Sequence, residues 1–220
     1  MISTEDQEAL FRLIANYIEE DLECFAIGGT AMMFHGYKTA TKDIDLVFKG
    51  VTSRQVFISA IEKLGYTQKS LKWIYSDKLI EAKGKPLLYA REGERFDLFV
   101  QDVFGFEIEF EEFVQRHDYI GKKELIIFTA PKELLILLKA ITDREKDFED
   151  IEAIARLEPT IDWNVVVDRA ISKRESVPWI LIDLEEKLQV LKKTTFIKKE
   201  IFDRIYQAEK KFSQKRADKS

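Results

Sequence analysis

The 220-residue chain has a single cysteine, Cys24, so no internal disulfide framework exists, which fits a reducing compartment. It has no long apolar run. The longest, ELLILLKAI, is far short of the roughly 20 residues needed to span a bilayer. Its start, MISTEDQEALF, is acidic and lacks a basic stretch followed by an apolar one, so no secretory signal is expected there. The two histidines, His35 and His117, stand apart without metal-ligand spacing. No internal repeat and no Gly/Ser-rich linker interrupts the chain. These absences predict a globular cytoplasmic protein with no membrane segment.

What is present suffices for a core: 45% of residues are hydrophobic. The net charge of −5 is unevenly spread. Residues 192–220 carry ten Lys and Arg against four Asp and Glu, leaving an acidic body. A basic tail on an acidic body can attract a polyanion such as RNA, or can simply be a solvated helix.

The pattern divides into two halves. Ser3 or Thr4 caps a helix expected to reach Glu20, with Leu10, Leu13, Ile14, Tyr17 and Ile18 at helical spacing. A strand candidate covers 24–27, a helix begins at Thr30, and a second strand runs from Asp43 to Phe48. Thr52 or Ser53 caps a helix through Leu64, with Gly65 in the stop position. Strand candidates follow at 71–75, 86–90, 95–100 and 124–130. From Pro131 onward the reading is helical throughout, with helices over 131–141, 146–157, 162–172, 178–193 and 196–214. The expected organisation is a mixed α/β domain over 1–130 and a helical domain over 131–220.

The chemistry concentrates in FAIGGTAMMFHGYKTATKDIDLVF, residues 25–48. Aspartate is a poor strand former, yet Asp43 and Asp45 open a strand. Alternation puts both carboxylates on one face, about 7 Å apart by backbone rise, and Ile44 and Leu46 on the other. Two such carboxylates repel unless a cation lies between them, and a hard divalent ion with oxygen ligands is a natural partner. A third acid from a neighbouring strand would complete a two-metal site suited to displacement at phosphorus. Asp97 in RFDLFV is the best candidate, with Asp102, Glu107 and Glu109 as rivals. Gly28 and Gly29 allow a phosphate to approach the backbone, and Thr30 can add a hydroxyl at a helix start. Lys38 and Lys42 lie close enough in sequence to reach phosphates.

The order strand, Gly-Gly-Thr, helix, loop, Thr-x-Asp-x-Asp, strand resembles the nucleotidyltransferase superfamily that includes DNA polymerase β. The local wording, GGTAMMFHGYKTATKDIDLVF, resembles the AbiEii-type nucleotidyltransferases most. The resemblance implies an α+β nucleotidyltransferase fold, a small mixed sheet flanked by helices, followed by an all-helical C-terminal region. It implies Mg²⁺, with Mn²⁺ as substitute, on Asp43, Asp45 and Asp97, and the triphosphate of an NTP on Gly28, Gly29 and Thr30. The run from Lys139 through Lys146, Asp147 and Asp150 is similar to a later segment of that group, which implies that Lys139 lines the nucleotide pocket. Read physically, Lys139 interrupts an apolar helix and either reaches a phosphate or snorkels to solvent. Asp147 and Asp150 equally suit an exposed helix start.

Two functions follow. One is a metal-dependent enzyme that moves NMP from an NTP to a hydroxyl of RNA such as tRNA, or of a partner protein, releasing pyrophosphate. The family implies toxin–antitoxin pairs among its settings. The other is a non-catalytic regulatory or antitoxin module of the same fold, whose mark would be a lost acid or a lost glycine turn. Neither is lost in this chain.

Overall fold

The computed structural model describes residues 1–74, 77–142 and 145–217. The chain divides into two compact units, Met1–Pro131 and Lys132–Ser220. The first unit opens with β1 (Ile2–Ser3), α1 (Thr4–Ala15), β2 (Leu22–Ala26) and α2 (Gly28–Phe34). It continues through β3 (Ala40–Thr41), β4 (Asp43–Phe48), α3 (Val51–Lys63) and β5 (Thr67–Lys69). Then come α4 (Asp77–Glu81), β6 (Leu87–Arg91), β7 (Glu94–Val100), β8 (Asp102–Val103) and β9 (Phe106–Glu107). A hairpin of β10 (Arg116–Ile120) and β11 (Glu124–Thr129) closes the unit.

The main sheet is mixed, in the order β10-β11-β2-β4-β7-β6-β5, with β8 and β9 attached beside β7. β2 runs parallel to β11 and antiparallel to β4, and β4 runs parallel to β7. This is the mixed sheet with flanking helices that the sequence implied. On one face of the central pair, Ile44, Leu46, Phe48, Phe96 and Leu98 are fully buried. Helix α3 covers them with Phe57, Ile58 and Ile61. The rings of Phe48 and Phe57 lie 5.5 Å apart, those of Phe57 and Phe96 5.5 Å, and those of Tyr66 and Phe96 4.9 Å. Each such side chain contributes about 1.5–3 kcal/mol by leaving water. This packed layer fixes which way the opposite face of β4 and β7 points.

Several elements differ from the sequence expectation, each for a tertiary reason. Ser3 does cap α1, in a reciprocal pair with Asp6, but the helix stops at Ala15 rather than Glu20. There the Lys123 N–H donates to the Ala15 carbonyl at 3.3 Å, so the β10–β11 turn takes over a helix-end acceptor. Residues 71–73 form a single 3₁₀ turn, not a strand, because the Ser70 hydroxyl accepts from the Lys72 N–H; Tyr75, the end of that expected strand, lies outside the described residues. The edge strand there is β5 instead, fully exposed and paired to β6. Strand β10, RHDYI, was not apparent, since its charged residues hide the alternation.

The second unit contains α5 (Lys132–Ala140), α6 (Glu145–Leu157), α7 (Trp163–Ser172), α8 (Ile180–Leu191) and α9 (Lys199–Ala217). Helix α5 is its centre: residues Leu134 to Ala140 are all buried, and α6, α7 and α8 pack around it. Asp162 caps α7 by accepting from the Asn164 and Val165 N–H groups. Among the described residues no helix is long and apolar enough to cross a membrane.

The tight join between α1 and the β10–β11 turn generates a prediction. A Cβ added at Gly121 would lie 2.4 Å from the Ala15 carbonyl carbon and 2.6 Å from its oxygen, and both are backbone atoms that cannot swing away. Gly121→Ala is expected to destabilise the protein by about 1–3 kcal/mol, as overpacking does. Urea unfolding checks it, and an unchanged midpoint would contradict the contact.

Candidate active site

Register builds the site. The parallel pairing of β4 with β7 sets Asp43 opposite Arg95 and Asp45 opposite Asp97. Side chains alternate along each strand, so all four charged groups share the face that α3 does not cover. One carboxylate oxygen from each of Asp43, Asp45 and Asp97 lies within 4.8 Å of the others. Among the described residues this is the one group of three or more His, Cys, Asp or Glu side chains close enough to share a metal ion. Asp97 is completely buried, while Asp43 and Asp45 are half-buried.

Arg95 is the component that sequence reading missed. Its Nη2 donates to Asp43 and also, at 3.3 Å, to Asp97 Oδ2. Its Nε lies 2.9 Å from Asp97 Oδ1. The side chain is 18% exposed, so these contacts are poorly screened by solvent. The signal was legible in RFDLFV: Arg95 and Asp97 are two residues apart and must share a face. The all-oxygen donor set of the three carboxylates fits a hard divalent cation.

The glycine turn is bolted to the same cluster. The Gly29 N–H donates to Asp45 Oδ2 at 3.1 Å. The Asp45 N–H donates to Thr30 Oγ1 at 2.9 Å. A Cβ on Gly28 would sit 2.2 Å from Asp45 Oδ2, and φ at Gly28 is +53°, so glycine is required for both space and backbone. A Cβ on Gly29 would lie 2.3 Å from Thr41 Oγ1, whose hydroxyl donates to the Asp43 carbonyl. Thr30 is buried, and its Oγ1 accepts from the Asp45 N–H, so the side chain braces the turn against β4.

The other candidates are placed as follows. Lys42 is exposed, directly before Asp43, and Lys38 is half-buried. Asp102 and Glu107 pair across β8 and β9 beyond the end of β7, and the Asp102 carboxylate accepts from the Gly105 N–H at 2.6 Å. Neither they nor Glu109 belong to the acid group. His35 Nε2 lies 2.8 Å from the Ala130 carbonyl, and His117 stacks on Phe34 with Nε2 3.1 Å from Thr129 Oγ1. Burial holds the His117 pKa below its ordinary value. Both histidines are thus tied into packing. Cys24 is buried, and burial pushes its thiol pKa up, so it is an inert core residue.

In the helical unit Lys139 is neither at the surface nor snorkelling. Its Nζ lies 3.1 Å from Asp147 and 2.6 Å from Asp150, with all three side chains nearly inaccessible. Thr142 Oγ1 adds a 2.6 Å contact to Asp147. The exposed helix start expected for Asp147 and Asp150 is corrected by this burial; Arg144, from the same sequence segment, lies outside the described residues. On α9, Lys199 pairs with Asp203 and Arg204 with Asp168, which offsets part of the basic charge there.

Residues 8–200 match the family described as a nucleotidyltransferase of unknown function (DUF6036), and the chain belongs to that family. No curated protein matches it. Among solved structures it is similar to JHP933 from Helicobacter pylori, at 17% identity and TM-score 0.41, over 98% of this chain and 95% of that one. It is also similar to the antibiotic-resistance factor ANT(2'')-Ia, at 16% identity and TM-score 0.46, over 85% of this chain and 98% of that one.

The interlock of turn and strand is testable by a double-mutant cycle. Gly28→Ala is expected to destabilise through both the clash with Asp45 and the positive φ. Combining it with Asp45→Ala removes the clash and leaves the backbone strain, so the pair should couple by about 0.5–3 kcal/mol. Additive effects in denaturant melts would show that the two groups do not press on one another.

Proposed function

For a member of a nucleotidyltransferase family, we propose that Asp43, Asp45 and Asp97 form the metal-binding centre of an enzyme that transfers NMP from an NTP to a hydroxyl acceptor. The observation that supports it is the convergence of three carboxylates within 4.8 Å on one sheet face, locked to a Gly-Gly turn. A divalent ion bound there, Mg²⁺ or Mn²⁺, would offset triphosphate charge and activate the attacking oxygen. The acceptor hydroxyl forms a bond to the α-phosphorus as the bond to the β-phosphate oxygen breaks. Pyrophosphate leaves, and Asp97 takes the hydroxyl proton. The backbone of Gly28–Thr30, with Lys42, receives the triphosphate in this reading. The family resemblance implies a nucleotide contact for Lys139 as well, which would require its ammonium to leave Asp147 and Asp150. The acceptor is proposed to be RNA such as tRNA, on the basic balance of residues 192–220, or a protein partner in a toxin–antitoxin pair.

A second reading, a non-catalytic regulatory or antitoxin module, draws on one observation: a guanidinium already neutralises part of the acid cluster.

The deciding experiment offers the protein each labelled NTP with Mg²⁺ and total RNA or cell lysate, and asks which species gains label. Asp45→Asn is nearly isosteric and removes one ligand charge. It is expected to cut transfer by more than about a hundredfold, the scale of losing a group that acts on the reacting atoms. Its metal-free melting temperature should hold or rise, since it relieves like-charge crowding. Wild type should gain melting temperature from Mg²⁺ and NTP by mass action, and the variant should not. Transfer by the variant at the wild-type rate would sink the mechanism.

A further inference from the structure

We infer that Arg95 is a built-in counter-cation of the acid cluster, one that a divalent metal ion must displace in order to bind. The inference rests on reading the cluster as a cation site and adds a residue that competes for it. Three observations carry it. The β4–β7 register places Arg95 on the same face as the three aspartates, directly opposite Asp43. Its guanidinium is engaged with both Asp43 and Asp97. And the Asp97 carboxylate is wholly inaccessible while that contact stands.

The reasoning is electrostatic. Three carboxylates this close repel one another, and a guanidinium that forks between two of them offsets part of that repulsion in the metal-free state. A divalent ion needs the same oxygens. Once bound among carboxylates within 4.8 Å of one another it would lie within a few ångströms of the guanidinium, and the two cations repel. Tight binding of the metal therefore requires the guanidinium to withdraw from the carboxylates. Arg95 thus acts as a positioning residue: it holds Asp43 and Asp97 in place, and it sets how much metal is needed to take them over. A metal that arrives already neutralised by a triphosphate pays less of this repulsion than the bare ion.

The test measures metal binding directly, without activity. Titrate wild type and Arg95→Met with Mn²⁺ alone, following the free-ion electron paramagnetic resonance signal, and melt both proteins across the same series. Arg95→Met should melt lower without metal, because Asp43 and Asp97 lose the guanidinium between them. It should bind Mn²⁺ at least about tenfold more tightly, the effect of removing one like charge at this range. It should also gain more melting temperature from saturating Mn²⁺ than wild type does. Arg95→Gln carries the same comparison if the methionine variant does not fold. The wild-type chain supplies a second measurement: the side-chain Nε–H resonance of Arg95 should shift or broaden as Mg²⁺ is added, and an unchanged resonance at saturation overturns displacement. Equal or weaker Mn²⁺ binding by the variant overturns the inference while leaving the proposed enzyme intact. Binding by the variant but none by wild type upholds the competition and moves the function to the non-catalytic module. No binding by either overturns this inference and the metal reading together.

Discussion

Like-charge crowding on one strip of sheet is the constraint around which the first unit is organised. Six backbone pairings between β4 and β7 force Asp43, Asp45 and Asp97 to share a face. Repulsion among them must be met by something, and the fold meets it with Arg95 of β7 and with the Gly29 N–H. The register itself is held from the far side. Ile44, Leu46, Phe48, Phe96 and Leu98 are locked under α3, and a one-residue slip of either strand would turn carboxylates into that apolar layer. The apolar face thus holds together what the acidic face tends to drive apart.

The glycine turn is usually read as room for a ligand, and here it is first room for the protein. Gly28 clears the Asp45 carboxylate and Gly29 clears the Thr41 hydroxyl. Thr30 and Thr41 each spend a hydroxyl on the β4 backbone. The result is a short span in which α2, β3 and β4 are hydrogen-bonded into one rigid piece. A site that must hold charged groups in fixed positions gains from such bracing, since side chains locked by neighbours lose little order when a ligand arrives.

The helical unit shows a related solution under heavier burial. Lys139 lies inside an apolar helix, and its ammonium is compensated by two aspartates and, through Asp147, a threonine hydroxyl. An ion cluster this buried is weak support for stability in itself, but removing one partner strands charge in a low-dielectric interior. The apolar run LLILL made a helix obvious. It did not show that the lysine would find its partners on α6 rather than in solvent.

Local pattern by itself determined a good deal: the helical half after Pro131, the strand at Asp43, the shared face of Asp43 and Asp45, and the turn at Gly28. These depend on periodicity and on backbone preferences that act over a few residues. The register of β4 on β7 was decided only in three dimensions, because Asp43 and Asp97 are more than fifty residues apart and no short-range rule couples them. Asp97 stood ahead of Asp102, Glu107 and Glu109 along the chain because it lies in a strand-like run, but only the pairing of β7 with β4 brings its carboxylate to Asp43 and Asp45. Arg95 was legible as a neighbour of Asp97 but not as its counter-ion, since an ion pair exists only once the partner strand has brought Asp43 alongside. The early end of α1 and the burial of Thr30 have the same cause: a backbone group or hydroxyl takes the best partner that tertiary packing offers, and the sequence around it does not name that partner.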